Sequence, residues 1–220
     1  MRKELFVRSG GRPVKAVIRN YGTNDFDALI DVQKACFPLP FPEELLWNRE
    51  QLSAHVTTFP QGAVCAEIGG RIVGSMTGLI VDTAHYKDDH SWASITDNGY
   101  IRNHNPNGNT LYVVDIAVMP DYRQSGIGKW MMQTLYETVV QLGLDRLLGG
   151  GRMPGYAERA NEATPETYVA KVLTGEWNDP VISFLLRCGR MPVGIAANYL
   201  EDEQSLNHAV LMEWRNPFKS

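Results

Sequence analysis

Cysteine is scarce in this chain. There are three, Cys36, Cys65 and Cys188, far apart and odd in number. No disulfide framework or paired zinc-ligand spacing can be built from them, so they read as buried thiols. Long apolar runs are also missing. None reaches the roughly 18–20 uncharged residues of a membrane span. No basic run exceeds two residues, the net charge is −4 and the pI is near 5.7. Those features offer nothing to nucleic acid or to an acidic membrane surface. The opening, Met1 to Arg8, is basic but lacks the apolar core of a secretory signal, so a cytoplasmic protein is expected. No internal repeat or low-complexity tract appears. What is present is 220 residues with 44% hydrophobic content, enough for the core of a single domain.

Residues 1–13 read as a short N-terminal extension closed by Gly10, Gly11 and Pro13, with the domain proper over 14–216. A first strand is expected at 14–19. Asn24 or Asp25 then caps a helix carrying Phe26, Leu29, Ile30 and Ala35 at helical spacing. The prolines between Phe37 and Pro42 break it, and a second helix is expected from Glu43 towards Val56. Residues 63–68 and 72–81 read as a hairpin across Gly69-Gly70, and Thr110 to Val118 as a strand buried on both faces. An amphipathic helix follows Gly126 and ends at Gly143. A short strand over 146–148 runs into Gly149, Gly150 and Gly151. Helices are expected at 165–173 and from Pro180 to Arg187, and closing strands at 192–197 and 208–214. Two long stretches, 82–109 and 152–178, read as insertions; loops of that length are usually functional or disordered, and Trp92, Ile95 and Tyr100 argue against plain disorder in the first. The order describes an α/β mixed sheet with one central strand–turn–helix crossover.

That crossover, Val113 to Met132, is the most informative stretch. A buried strand, a basic turn and a helix start leave free backbone N–H groups where an anionic phosphate can sit. A P-loop is rejected, because Arg123 and Trp130 stand where its first glycine and its hydroxyl residue belong. A dinucleotide fingerprint is weakened by Met131 in place of its third glycine. The pattern that fits is Arg123-x-x-Gly126-x-Gly128. It resembles the acetyl-CoA-binding motif of the GNAT superfamily of N-acyltransferases. More narrowly, Ile95-Thr-Asp-Asn-Gly-Tyr-Ile101, Gly149-Gly-Gly-Arg-Met-Pro-Gly-Tyr156, Asp179-Pro-Val181 and Asn198-Tyr-Leu200 resemble a GNAT subgroup often fused to a carbon–nitrogen hydrolase domain.

The resemblance implies a partly splayed GNAT-like sheet flanked by helices. It also implies direct attack of an amine on the acetyl thioester in a ternary complex. Arg123, Gln124, Ser125, Gly126, Ile127, Gly128 and Lys129 would cradle the pyrophosphate. Ile116, Ala117 and Val118 would meet the pantetheine and acyl groups, with the Val118 N–H as oxyanion donor. One departure is Gln124, where many relatives have glycine. Another is Leu185, where many have the tyrosine that protonates the leaving thiolate. Tyr199, Tyr156 and Tyr168 are substitutes by residue type, and the thiolate can also leave unprotonated. Asp115 is open to two roles, general base or a carboxylate that bonds the neighbouring loop. Arg152 and Tyr156 follow a strand end at the rim expected to face the acceptor. Arg152 suits an acceptor carboxylate or an ion pair that holds the insertion. Trp92, Asp97, Tyr100 and His104 would form the opposite wall, with His104 either a base or a loop residue.

His85 and His90 bracket Lys87, Asp88 and Asp89, but the spacing matches no metal motif and no metal is expected. Trp130, Met131 and Met132 read as core. The function expected is acetyl-CoA-dependent N-acetylation of a small-molecule primary amine. The alternatives are a non-catalytic CoA-binding module beside an amidase-like protein, and acetylation of a protein or peptide. A homodimer and a carbon–nitrogen hydrolase are the partners considered.

Overall fold

The structure is a computed structural model that describes residues 1–39, 41–86 and 90–219. Its frame is an eight-stranded sheet in the order β1-β2-β3-β4-β5-β6-β8-β7. The strands are β1 (Arg2–Ser9), β2 (Arg12–Asn20), β3 (Ala63–Ile68), β4 (Arg71–Val81), β5 (Thr110–Val118), β6 (Arg146–Arg152), β7 (Met191–Ala196) and β8 (Ala209–Arg215). Among the described residues six α-helices join them: α1 (Phe26–Cys36), α2 (Arg49–Thr58), α3 (Trp92–Thr96), α4 (Ile127–Gln141), α5 (Pro165–Leu173) and α6 (Pro180–Arg187). Every strand pairing is antiparallel except β5 with β6.

Three expectations need correction. The stretch read as an extension begins the sheet instead. Gly10 and Gly11 take positive φ, close a tight turn, and let β1 pair with β2 from Arg2↔Arg19 to Ser9↔Arg12. The second helix starts later than Glu43. Asn48 caps it, its side chain accepting from the Gln51 N–H while the Gln51 side chain accepts from the Asn48 N–H. That reciprocal cap fixes the start at Arg49. The strand expected over 146–148 runs on to Arg152, because β8 pairs with it along its whole length.

The remaining elements fall close to their expected places. Asp179 caps α6 through Oδ1, which accepts from the N–H groups of Val181 and Ile182 at 2.9 Å each. Thr164 caps α5 ahead of Pro165. The 82–109 stretch is not bare loop. It contains α3, and Ile95 and Ile101 within it are fully buried.

Two features of the sheet position the site. β5 and β6 pair only from Thr110↔Arg146 to Tyr112↔Leu148, after which β6 continues beside β8 alone. The two parallel strands therefore part beyond Tyr112. The second feature is a bulge. Thr77 pairs with Asp115 and Gly78 with Val113, so Val114 is the extra residue on β5. Paired residues share a face, which places Asp115 with Thr77 and Tyr112 with Leu79 on the same side. Without the bulge, residues three apart would point to opposite sides. Gly74 and Gly78 mark the other face, where Met131 and Leu135 of α4 pack.

Candidate active site

At the end of β5 the chain turns through Pro120–Tyr122 into Arg123, Gln124, Ser125 and Gly126, and α4 begins at Ile127. Gln124 has φ +60° and Gly126 φ +93°. These left-handed residues curl the backbone so that successive N–H groups face one side. Among the described residues no acceptor is found for the N–H groups of Gln124, Ser125, Gly126, Gly128 and Lys129. Arg123 and Lys129 are exposed and in no ion pair there, and the Arg123 Nε donates to the Val118 carbonyl at 3.2 Å. Ser125 fastens the turn, its hydroxyl donating to the Tyr122 carbonyl at 2.6 Å. Gly128 has a further reason to lack a side chain: a Cβ there would stand 3.0 Å from the Phe184 ring on α6. Unpaired N–H groups, two cations outside any ion pair among the described residues and the α4 dipole together fit a pyrophosphate.

The opening between β5 and β6 exposes strand backbone. The Met119 N–H donates towards β4, to the Val73 carbonyl at 2.9 Å. Alternate N–H groups of a strand point to opposite edges, so those of Val118 and Ile116 point into the opening. Ala117 is buried between them against Ser75 of β4. Cys36, at the end of α1, lies beside Val118, Arg123 and Asp115, and burial pushes its thiol up to about 11.

On the face away from α4 the opening meets a polar cluster. Gln33 of α1 donates from Nε2 to Asp115 Oδ2 at 2.7 Å. Asp115 is half-buried, and desolvation pushes its carboxyl up to about 6 against the pull of the Gln33 amide, the Trp47 indole N–H and the Ile116 N–H. The Trp47 Nε1 is buried and faces that carboxyl, but makes no well-aligned hydrogen bond among the described residues. Trp47 stands edge-on to His55 at 5.0 Å and stacks on Trp92 at 6.2 Å. Trp92 Nε1 donates to the Val114 carbonyl at 3.0 Å, a group freed by the bulge.

Behind this lies a relay whose proton positions follow from its ends. His55 Nε2 faces the Gly99 carbonyl at 2.7 Å and must donate to it. Its Nδ1 therefore accepts from the Tyr21 hydroxyl at 2.9 Å, and Tyr21 accepts from the Thr77 hydroxyl at 2.9 Å. Burial lowers the His55 pKa to about 4, so the ring is neutral.

Tyr199 arrives from the β7–β8 connection and reaches the point where the strands part. Its hydroxyl is 3.0 Å from that of Tyr112, which is 3.4 Å from His90 Nε2. Burial pushes the Tyr199 hydroxyl up to about 12, so it keeps its proton at neutral pH. The three glycines of β6 make room for this arrangement. A Cβ at Gly150 would lie 2.4 Å from the Tyr199 ring, at Gly149 3.2 Å from the Arg190 guanidinium, and at Gly151 2.7 Å from Leu185. Leu185 thus faces the same strand from the other side.

The structure brings Asp115, Trp92, Tyr199 and the β5 backbone together and commits the other candidates elsewhere. Arg152 forks onto Asp202, Nε to Oδ2 at 2.8 Å and Nη2 to Oδ1 at 2.6 Å, and reaches Gln204. Tyr156 is buried edge-on to Tyr168 and His208, and the Tyr168 hydroxyl donates to Asp179. His104 accepts from the Ile80 N–H, stacks on Phe59 at 4.6 Å, and has its pKa lowered by burial. Tyr100 lies under the Arg102 guanidinium at 4.6 Å and reaches Glu50 at 3.5 Å; Arg102 also pairs with Asp97. Lys87, Asp88 and Asp89, weighed with His85 and His90 as a metal site, lie outside the described residues. Among the described residues no helix is long and apolar enough to cross a membrane. Sequence reasoning missed Gln33, Trp47, Tyr112 and the His55 relay. Gln33 had a visible signal, since it falls on the apolar stripe of α1 with Phe26 and Leu29.

A strand parted from its parallel neighbour, with a phosphate-ready turn at its end, defines a class: acyltransferases that use acyl-CoA. Comparison with known proteins narrows it. Residues 26–153 match the Acetyltransferase (GNAT) family, and the chain belongs to that family. The uncharacterized N-acetyltransferase YkwB of Bacillus subtilis (strain 168) is 56% identical over 216 residues, 98% of this chain and 96% of the relative. The probable hydrolase YhcX of the same organism is 42% identical over 203 residues, 92% of this chain but 39% of that longer protein. Among solved structures, the loading GNATL domain of CurA from Lyngbya majuscula has a TM-score of 0.77 at 18% identity, covering 91% of this chain and 98% of that one. The GphF GNAT-like decarboxylase in complex with isobutyryl-CoA has a TM-score of 0.73 at 26% identity, covering 90% and 98%.

Proposed function

We propose that the chain is an acetyl-CoA-dependent N-acetyltransferase that acetylates a small-molecule primary amine by direct attack in a ternary complex. The observation that carries this reading is the opening beyond Tyr112 with the unpaired turn at its end. Acetyl-CoA supplies the activated acyl thioester. Arg123, Lys129 and the N–H groups from Gln124 to Lys129 hold its pyrophosphate. Ile116, Ala117 and Val118 line the acyl arm, and the Val118 N–H donates to the developing oxyanion, a contribution of about 10²–10³ in rate. Asp115 takes the proton from the incoming ammonium group, and its raised pKa suits a base at neutral pH. Tyr199, kept protonated by burial and backed by Tyr112, donates to the leaving thiolate in place of the residue missing at Leu185.

Calorimetry with acetyl-CoA tests the cradle. Reversing both exposed cations, Arg123→Glu with Lys129→Glu, should weaken binding by about 100-fold or more. Unchanged affinity would place the pyrophosphate elsewhere and remove the basis of the reading.

A second reading is loss of CO₂ from a carboxyl-bearing acyl-CoA. Leu185 at the thiolate-acid position favours it, together with the likeness to a GNAT-like decarboxylase. The buried Arg190 is the obvious cation for such a carboxylate. Its guanidinium is already directed to the Gly149 and Met212 carbonyls and it is 2% exposed. CO₂ release from malonyl-CoA without free thiol would establish this alternative.

A further inference from the structure

The cluster around Asp115 has an unequal charge inventory. Asp115, a half-buried residue, supplies one carboxylate, and it is flanked by Gln33 and Trp47, which are 2% and 4% exposed. Gln33 secures one carboxyl oxygen. The Trp47 indole N–H is buried, faces the same carboxyl, and makes no other hydrogen bond among the described residues. Among the described residues Asp115 is in no ion pair. His55, two contacts behind it, is neutral, and His104 is stacked on Phe59. Arg123 bonds the Val118 carbonyl on the turn side, and the Arg152 fork is filled by Asp202. Beside Asp115 the indoles of Trp47 and Trp92, both largely buried, stack on each other.

We propose that this cluster selects, as acyl acceptor, an alkyl- or arylalkylamine with no carboxylate beside its nitrogen, and rejects α-amino acids. The proposal rests on the N-acetyltransferase reading and names the substrate class of that site. An ammonium group finds Asp115 as its counter-ion, and indole walls receive an apolar chain. An α-carboxylate, one carbon from the amine nitrogen, would be driven against the Asp115 carboxylate, while among the described residues Arg123 is engaged at the turn and Arg152 on Asp202.

The test uses matched pairs that differ only in that carboxylate: tyramine and tyrosine, 3-methylbutylamine and leucine, 2-phenylethylamine and phenylalanine. Thiol release from acetyl-CoA is followed for each, and calorimetry measures binding of each to the CoA-bound protein. The amine of each pair should bind at least about tenfold more tightly than its amino acid, and kcat/KM should follow the same order. Asp115→Asn should erase that preference while leaving CoA affinity unchanged. Amines that bind selectively but release no thiol would sink the transferase reading and uphold the selectivity. Equal binding of the two members, preference for the amino acids, or no binding of any amine would overturn the proposal itself.

Discussion

Replacing Asp115 by asparagine should make the protein more stable and less active. The carboxyl is held up to about 6 by desolvation, from an ordinary value of 3.8. That rise corresponds to about 3 kcal/mol of preference for the neutral form in the folded state. A folded pKa above the unfolded one gives stability that is complete below about pH 3.8 and is lost as pH rises through about 6. Asparagine keeps the neutral form at every pH and still offers Gln33 an oxygen. The variant should therefore match the wild type near pH 4 and exceed it by up to about 3 kcal/mol at pH 8. Urea unfolding of both proteins at intervals from pH 4 to pH 8 measures this. Other titrating groups, His55 among them, are common to the two proteins and cancel in the difference. The same substitution should lower kcat/KM by about 10²–10⁴ and remove an acid limb near pH 6. A variant less stable than wild type at pH 8, or a stability difference that ignores pH, would show that no desolvated carboxylate stands at this position.

Other outcomes follow from individual residues. Gln124→Gly should raise stability by about 1 kcal/mol, seen as a higher Tm, because φ +60° strains a side-chain-bearing residue. CoA affinity should hold or improve. Gly150→Ala should cost about 1–3 kcal/mol in urea unfolding, since the added methyl would lie 2.4 Å from the Tyr199 ring. Tyr199→Phe should lower kcat by about tenfold or more with KM little changed, if its hydroxyl protonates the thiolate. Asp202→Asn should destabilise by about 3 kcal/mol, because it leaves the Arg152 fork short of a charge partner.

Much of the frame could be read in the sequence because its signals are local. Gly69-Gly70 closes the β3–β4 hairpin, Thr164-Pro165 starts α5, and Asp179-Pro180 starts α6, each through a cap or turn that neighbouring residues determine. The Arg123–Lys129 turn is local in the same sense. What escaped depends on contacts between distant segments. The β1 strand looked like a tail because its pattern has few buried positions, and only its pairing with β2 makes it a strand. Gln33 and Asp115 are 82 residues apart, and Tyr112 and Tyr199 are 87. The bulge at Val114, which turns Tyr112 and Asp115 to one side, leaves no mark in residue type. The glycines of β6 were visible, but their reason lies in Arg190, Tyr199 and Leu185, all supplied from later in the chain.

The most direct measurement is the stoichiometry of acetyl-CoA turnover with a panel of primary amines. Free thiol should appear only when an amine is present, with one N-acetylated product formed for each thiol released. Failure of acetyl-CoA to bind, or thiol release that yields no acetylated amine, would contradict the account at its centre.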